Sequence, residues 1–276
     1  SAALLHSWVI VAAVVLSISG ALAQTTYIYV ESNHGKTANR NSVIALKNDG
    51  LGNLTPLPGA PFLTNGTGVF DTGGGTTDPF NADQQVIARK DGSLLYAVNG
   101  GSNTIAGFTI NADGTLTTVS GSPFPSGGQD PASVGLMDDS GLLFLVAVNK
   151  NEDPAQNIGG DVPNYSTFTV NGDGSLTMNP GSTVDLPADS SPTQALIRSG
   201  VHLLFGMEDA TSRLVTYRIK TDGTLEQLAS VPPPVLDFFL GEILYPKAKV
   251  RVLYAGLPMT NQVAVYRFDT LGNLTF

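Results

Sequence analysis

The stretch Gly101–Phe124, GSNTIAGFTINADGTLTTVSGSPF, consists of two polar turns, each followed by a short strand-like run. The second turn and its strand recur along the chain. The five copies are NDGLGNLTPL (48–57), NADGTLTTVS (111–120), NGDGSLTMNP (171–180), KTDGTLEQLA (220–229) and DTLGNLTF (269–276). They share a leucine at positions 54, 116, 176, 225 and 274, so that the spacings are 62, 60, 49 and 49 residues. A period near 50 residues that consists of strands is typical of β-propeller blades.

Each full period contains four strand signals. In the second repeat these are residues 84–90, 94–99, 104–111 and 116–119. Asp-Gly pairs separate the first strand from the second and the third from the fourth. Asp-Gly between apolar runs favours a tight hairpin, because the glycine adopts a positive φ at little cost. We name the four strands a to d, from the central channel outward, and expect four-stranded antiparallel blades.

The predicted fold is therefore an all-β propeller. The repeats extend over about 26–68, 79–128, 129–187, 188–234 and 235–276, within a domain of residues 24–276. The first repeat begins at strand b, and the last reaches the start of strand d. A closed five-bladed ring would leave these edges unpaired, which closed propellers avoid. We therefore expect about five blades of a seven-bladed propeller, incomplete at both ends.

Composition excludes several classes of function. The chain has 14 basic and 23 acidic residues, a formal net charge of −9 and no basic run, so nucleic acid is not an expected partner. It contains no cysteine, which excludes thiol nucleophiles, disulfides, cysteine-ligated iron–sulfur clusters and attached c-type haem. No other cofactor is evident from a motif, and nothing in the sequence indicates an oligomeric state.

The first 23 residues have the features of a secretory signal. The apolar run WVIVAAVVLSI (8–18) precedes Ala21-Leu22-Ala23, a small-residue cleavage pattern. An uncleaved membrane anchor is the alternative. The signal predicts an extracytoplasmic protein, secreted or periplasmic, with no membrane contact beyond this leader.

The run DGSLLYAVNGGSNTIAGFTINADGTLTTVSGSPFPSGG (91–128) resembles the lactonase-type seven-bladed propellers, the 6-phosphogluconolactonase-like proteins. The resemblance covers most of residues 26–276 and implies hydrolysis of a sugar lactone or a related ring ester. Relatives with this activity carry a histidine after the proline that begins an inner strand. Here Ala132 and Thr193 occupy those positions, so the usual histidine is absent. The chain also lacks a Trp-Asp signature, because its one tryptophan is Trp8.

The strand order predicts two different faces of the propeller. The b–c loops and the d–a connections between blades share one face, which we call the loop face. Both long insertions, residues 65–83 and 149–164, lie on it. Each d–a connection also carries an aspartate shortly before the inner strand: Asp78, Asp130, Asp189 and Asp237. Such carboxylates could bind a small-molecule or carbohydrate-like ligand, or a divalent cation such as calcium. The alternative is that they cap turns.

Candidate catalytic residues are few. His34 lies in the b–c loop of the first repeat, and Glu208 and Arg213 lie in that of the fourth. They could form an acid–base set, in which His34 is the general base and Arg213 stabilises the oxyanion. Alternatively, Glu208 and Arg213 form a surface ion pair. Glu152, Asp153 and Asp161 are candidate metal ligands in the inserted loop, although their spacing does not match an EF-hand.

Two functional hypotheses follow from the sequence. The first is a lactone hydrolase acting at the mouth of the channel, which the resemblance implies. The second is a non-catalytic propeller that binds a ligand or a protein through its loop face, which the missing histidines favour. A fold alone does not decide between them.

Overall fold

The computed structural model describes residues 26–70, 82–153, 155–156, 161–247 and 249–276. The predicted leader, residues 1–23, and Asp78 lie outside the described residues. Within the described ranges, no helix has the length and apolar character that a membrane span requires. Nearly all regular structure is β-strand, apart from two single-turn 3-10 helices at Gly100–Ser102 and Ser199–Val201.

The strands form five antiparallel sheets, one per blade. Blade one contains β1 to β4: Thr26–Glu31, Ser42–Asn48, Leu54–Pro56 and Phe62–Leu63. Blade two contains β5 to β9: Val86–Ala88, Leu94–Asn99, Thr104–Ile110, Leu116–Thr118 and Phe124–Pro125. Blade three contains β10 to β14: Pro131–Asp139, Leu142–Asn149, Asn164–Val170, Leu176–Met178 and Val184–Asp185. Blade four contains β15 to β18: Pro192–Arg198, Leu203–Glu208, Arg213–Ile219 and Leu225–Val231. Blade five contains β19 to β22: Leu240–Leu244, Val252–Leu257, Gln262–Phe268 and Leu274–Thr275.

Strands pair in sequence order within each blade, which confirms the predicted propeller of four-stranded blades. Blade one begins at strand b in the described residues, and strand d of blade five is two residues long. The outer edge of the first three blades differs from the prediction. There strand d is followed by a second short strand, β4, β9 or β14, which also pairs with strand c. In blade two a turn at Val119–Ser122 separates β8 from β9. Gly107 N in strand c donates a hydrogen bond to Ser122 Oγ in this turn.

The hydrophobic core consists of four clusters, one between each pair of consecutive blades. Strand b contributes most to them, because β6 and β16 are buried along their whole length. Strands that are buried on both faces read as continuous apolar runs in the sequence, and this explains LLYAV in β6. In contrast, the side chains of Ile243, Val263 and Val265 in blade five are exposed.

The inner strands share a local irregularity near their beginning. β10, β15 and β19 each contain a β-bulge, at Pro131/Ser133, Pro192/Gln194 and Leu240/Glu242. A bulge redirects the side chain beside it, and bulges are frequent near functional sites. Side-chain hydrogen bonds join neighbouring inner strands at this level, as where Ser133 Oγ accepts from Ala195 N. The bulges therefore place polar side chains around the centre of the propeller.

The Asp-Gly turns between strands c and d also contact the preceding blade. In blade three, Asp173 Oδ1 accepts hydrogen bonds from Ser175 N and Oγ, which fixes the turn. Gly174 has φ +84°, and its carbonyl oxygen accepts a hydrogen bond from the hydroxyl of Tyr96 in blade two. A Cβ at Gly174 would lie 2.7 Å from Leu94 Cδ2, also in blade two. This turn therefore needs glycine for its conformation and for close packing.

We expect Gly174→Ala to lower the free energy of unfolding by about 1–3 kcal/mol, because it adds strain at positive φ and a clash with Leu94. Gly172→Ala is the matched control in the same loop. Nothing lies within 4 Å of a Cβ at Gly172, and blade two has Ala112 at the equivalent position. Urea denaturation of the two variants tests this. Equal stability of both variants would contradict the proposed role of the turn.

Candidate functional site

The d–a connections meet the b–c loops on the loop face, as the strand order predicts. Asp130 immediately precedes the inner strand of blade three. Its backbone N donates to Asn103 Oδ1 in the b–c loop of blade two, and its carbonyl oxygen accepts from Lys150 N in the loop of blade three. The connection thus joins the loops of two neighbouring blades.

Asp130 is 1% exposed, and its carboxylate has few partners. Oδ2 accepts one long hydrogen bond, 3.3 Å from Glu152 N, and Oδ1 has no partner among the described residues. Burial raises the pKa of Asp130 to about 7, and the negative charge of Asp153 acts in the same direction. Asp130 is therefore a proton-binding group near neutral pH.

The inserted loop of blade three surrounds Asp130 with further charges. The Lys150 side chain is completely buried, and its Nζ lies 3.2 Å from Glu152 Oε2. Asp153 is buried, with Oδ1 accepting from Ala155 N and Oδ2 accepting from Gln156 Nε2. Two of the three predicted metal ligands, Glu152 and Asp153, are thus occupied by protein partners.

The third predicted metal ligand, Asp161, also has a protein partner. Asp161 is exposed, and its Oδ2 accepts a hydrogen bond from Gln129 Nε2. Among the described residues, no group of three or more His, Cys, Asp or Glu side chains is placed to hold a metal ion. Metal binding by Glu152, Asp153 and Asp161 stays a prediction.

A cavity of about 360 Å³, which we call the Thr67 cavity, lies beside this loop. Its walls come from blades one, two and three and include Thr67, Phe70 and Asp153. His34 lies next to this cavity, because its carbonyl oxygen accepts a hydrogen bond from Gly68 N in the cavity wall. The His34 residue is exposed. His34 therefore belongs to the Thr67 cavity region, in blade one.

A larger cavity, of about 560 Å³, lies between blades three and four, and we call it the Glu208 cavity. Asp189, Glu208 and Arg213 share its walls, so three predicted site residues come together there. Glu208 and Arg213 are cross-strand partners at the ends of β16 and β17, and Asp189 belongs to the d–a connection. Asp189 and Arg213 are exposed, whereas Glu208 is buried.

Burial distinguishes Glu208 from Asp189 and Arg213, the other two predicted site residues of this cavity. Burial raises its pKa, and this effect outweighs the hydrogen bond from Thr211 and the attraction of Arg213, both of which lower it. Thr211 Oγ1 donates to Glu208 Oε2 over 2.8 Å and fixes the carboxylate. The cavity thus holds a positioned carboxylate with increased basicity and a guanidinium.

Asp237, the fourth aspartate of the predicted set, has a different role. Its Oδ1 accepts hydrogen bonds from Phe238 N and Met259 N, and its Oδ2 accepts from Thr260 N and Oγ1. Burial would raise its pKa, but the hydrogen bonds from Thr260, Met259 and Phe238 outweigh burial and lower it. All of these bonds connect to the b–c loop of blade five or to the next residue, so Asp237 fastens this loop.

The two positions at which the resemblance expects histidine are buried. Ala132 and Thr193 are 4% and 1% exposed at the beginning of β10 and β15. Thr193 Oγ1 donates only a long hydrogen bond, 3.5 Å, to the carbonyl oxygen of Met207. His202 lies at the a–b turn of blade four, and its Nε2 is 2.9 Å from Asp139 Oδ2. No histidine of the described residues occupies an inner strand.

The structure also reveals polar groups that the sequence interpretation missed. One is the buried Lys150. Another is Glu242, a buried carboxylate in the inner strand β19. The sequence carried a signal for Glu242, because a single carboxylate interrupts the apolar run FFLGEIL (238–244).

Comparison with known proteins identifies the architecture. No protein-family model matches the chain, and no curated protein sequence is detectably similar to it. Three similar solved structures are a putative 6-phosphogluconolactonase from Bacteroides uniformis, a protein from Lactobacillus plantarum and the periplasmic gluconolactonase of Pseudomonas aeruginosa. Their identities to the chain are 16%, 17% and 15%, and their TM-scores are 0.64, 0.61 and 0.57. They match 90%, 90% and 91% of the chain, which spans 66%, 66% and 65% of their own length. The chain therefore has the fold of the lactonase-type propellers over about two thirds of their length.

We expect Asp237→Ala to lower the melting temperature by about 4 °C or more, because it removes the hydrogen bonds that fasten the loop of blade five. Asp189→Ala, which removes an exposed aspartate of the same predicted set, should change it by less than about 1–2 °C. Since the folded-state pKa of Asp237 is lowered, its stabilising effect is complete above about pH 4 and disappears as the pH falls through the folded pKa. Thermal unfolding at pH 7 and pH 3 measures both effects. Equal losses in the two variants at pH 7 would contradict this role.

We expect Asp130→Asn to become more stable relative to wild type as the pH rises from 4 to 7. In this range the folded wild type retains a proton on Asp130 that the unfolded chain has lost, so its stability falls with pH, whereas the asparagine variant has no proton to lose. With a pKa near 7 instead of 3.8, the difference in the free energy of unfolding between the two proteins should change by about 2–4 kcal/mol over this pH range. Urea denaturation at several pH values measures this difference, with the exposed Glu226→Gln as a control for removal of one charge. A difference that does not vary with pH would show that Asp130 is not shielded from water.

Proposed function

We propose that this chain is part of an extracytoplasmic lactonase-type propeller that opens a sugar lactone or a related ring ester in the Glu208 cavity. The observation that carries the proposal is that Asp189, Glu208 and Arg213 share one cavity of about 560 Å³ on the loop face. The lactonase-type fold adds support, as do the names of two of the similar structures, a putative 6-phosphogluconolactonase and a gluconolactonase. The leader pattern and the periplasmic location of the Pseudomonas aeruginosa protein support the extracytoplasmic part.

Each of the three side chains has a distinct role in this proposal. Glu208 is the general base, since its raised pKa brings the carboxylate closer to the working pH and makes it a better proton acceptor. It takes a proton from a water molecule whose oxygen attacks the lactone carbonyl carbon. Arg213 stabilises the negative charge that develops on the carbonyl oxygen. Asp189, exposed at the rim, accepts hydrogen bonds from sugar hydroxyls.

The ring-opening step completes the reaction. The tetrahedral intermediate collapses, the bond between the carbonyl carbon and the ring oxygen breaks, and that oxygen receives the proton held by Glu208. The product is an open-chain hydroxy acid, and Glu208 returns to its ionised form. The hydrogen bond from Thr211 keeps the carboxylate in one orientation throughout. In this arrangement His34 is not required, because it lies beside the Thr67 cavity in blade one.

A second candidate is a non-catalytic propeller that binds a sugar-like ligand through the same face. The observation that favours it is the replacement of the expected inner-strand histidines by the buried Ala132 and Thr193. Under this alternative, Asp189 and Arg213 would recognise hydroxyl and carboxylate groups without chemistry.

A lactone panel separates the two candidates. The intact protein is assayed by acid release on gluconolactone, 6-phosphogluconolactone and unphosphorylated five-membered lactones, beside a buffer blank. We expect turnover above the blank, with Glu208→Gln lowering kcat by about 100-fold or more and Arg213→Ala lowering it by about 10- to 1000-fold.

Glu226→Gln is the control, since Glu226 is an exposed carboxylate of blade four outside the Glu208 cavity. It should retain the wild-type rate. Wild-type turnover equal to the blank would favour the binding protein instead. Full activity of Glu208→Gln would remove Glu208 from the mechanism, and loss of activity in His34→Ala alone would place the reaction at the Thr67 cavity.

A further inference from the structure

A third cavity, which we call the Glu242 cavity, lies where the beginnings of the inner strands of blades two and five meet. It has a volume of about 410 Å³, and its walls include the polar side chains of Asp83, Gln84, Gln194, Glu242 and Tyr254. Asp83 precedes β5, and Glu242 lies beside the bulge of β19. The Glu242 cavity shares no wall residue with the Glu208 cavity, so its role is independent of lactone opening.

Glu242 is the unusual feature of this cavity. The residue is 7% exposed, and neither Oε1 nor Oε2 has a hydrogen-bond partner among the described residues. A buried ionised carboxylate without partners is strongly disfavoured, so Glu242 requires a proton or a compensating cation. Burial, together with the negative charge of Asp83, raises the pKa of Glu242 to about 8.

Asp83 brings a second carboxylate to the same place. A Cβ at Gly241 would lie 2.8 Å from Asp83 Oδ2, so this carboxylate packs against the backbone that precedes Glu242. Asp83 N donates to the carbonyl oxygen of Thr193 over 3.0 Å, which fixes the position of the residue. Burial raises the pKa of Asp83 as well. No Lys, Arg or His of the described residues lines the cavity.

The two glutamines have their amide donors occupied by the backbone. Gln84 Nε2 donates to the carbonyl oxygens of Val134 and Ala195, at 2.7 and 2.9 Å, which leaves its amide oxygen for another partner. The side-chain amide of Gln194 forms two hydrogen bonds with the backbone of Glu242: its Nε2 donates to Glu242 O, and its Oε1 accepts from Glu242 N. The surroundings therefore hold the backbone of Glu242 firmly but offer no donor to its carboxylate.

We propose that the Glu242 cavity binds a divalent cation of the calcium class, with the carboxylates of Glu242 and Asp83 and the amide oxygen of Gln84 as its protein ligands. These are hard oxygen donors, which Ca²⁺ prefers, and Ca²⁺ completes an irregular set of ligands with water molecules. The volume of the cavity accommodates the ion together with such waters. A proton on Glu242 would neutralise one carboxylate, but it would leave the charge of Asp83 uncompensated in a cavity whose described walls contain no Lys, Arg or His. The cation satisfies both carboxylates and links blade two to blade five.

Calcium binding to the purified full chain tests the proposal. Wild type, Glu242→Gln, Asp83→Asn and the control Glu226→Gln are treated with EDTA, dialysed and titrated with calcium chloride at pH 7.5. At a free calcium concentration of about 100 times the dissociation constant, the melting temperature of wild type and Glu226→Gln should rise by about 5 °C. Glu242→Gln and Asp83→Asn should lose most or all of this rise.

Calorimetric titration of wild type with calcium is the second measurement, and it does not depend on the folding of a variant. It should give a binding heat with a stoichiometry of one at this site, which is absent in Glu242→Gln. A wild-type protein without calcium heat and without a change in melting temperature would overturn the proposal. So would a Glu242→Gln variant that keeps the full calcium effect, because the ion would then be bound elsewhere.

Discussion

The burial of strand b between neighbouring blades is the interaction on which the rest of this structure depends. β6 and β16 have no exposed residue, and each core cluster joins one blade to the next. Each fully buried large apolar side chain contributes about 1.5–3 kcal/mol, and the chain has no cysteine with which to form disulfides. A blade therefore owes its stability to its neighbours, as is general for repeat proteins. The inserted loops of the loop face can vary more freely, because none of their described residues belongs to these clusters.

The repeated Asp-Gly turns add contacts between neighbouring blades at the outer part of the propeller. The carbonyl oxygens of Gly114 and Gly174 accept hydrogen bonds from Tyr29 and Tyr96 of the preceding blade. The turn thus serves two purposes: it closes the hairpin within its own blade, and it contacts the blade before it. Its position on the face opposite to the loop face leaves the d–a connections and b–c loops to form the cavities.

Much of the fold could be predicted from the sequence because it follows from local patterns. The period of the Asp-Gly turn indicates the strand order within a blade, and the continuous apolar run at residues 94–98 indicates which strand is buried. The interrupted outer edge, as at Val119–Ser122, could not be predicted, since it depends on how strand c meets a second short segment. The candidate site was predictable only in part. Asp130, Asp189 and Asp237 look equivalent in the sequence, yet the first is buried with an unpartnered oxygen, the second is exposed in a cavity and the third fastens a loop. These differences arise from residues in other blades, and no spacing along the chain encodes them. Likewise, Glu242 becomes notable only when Asp83, far away in the sequence, is placed beside it.

A crystal structure of the protein soaked with gluconate, the open-chain acid formed from gluconolactone, would show whether the loop face between blades three and four holds a site for a sugar-derived ligand. We expect density for the acid in the Glu208 cavity, with its carboxylate near Arg213 and its hydroxyls near Asp189. Density for the acid in the Thr67 cavity alone, or an empty Glu208 cavity at saturating gluconate, would rule out this site.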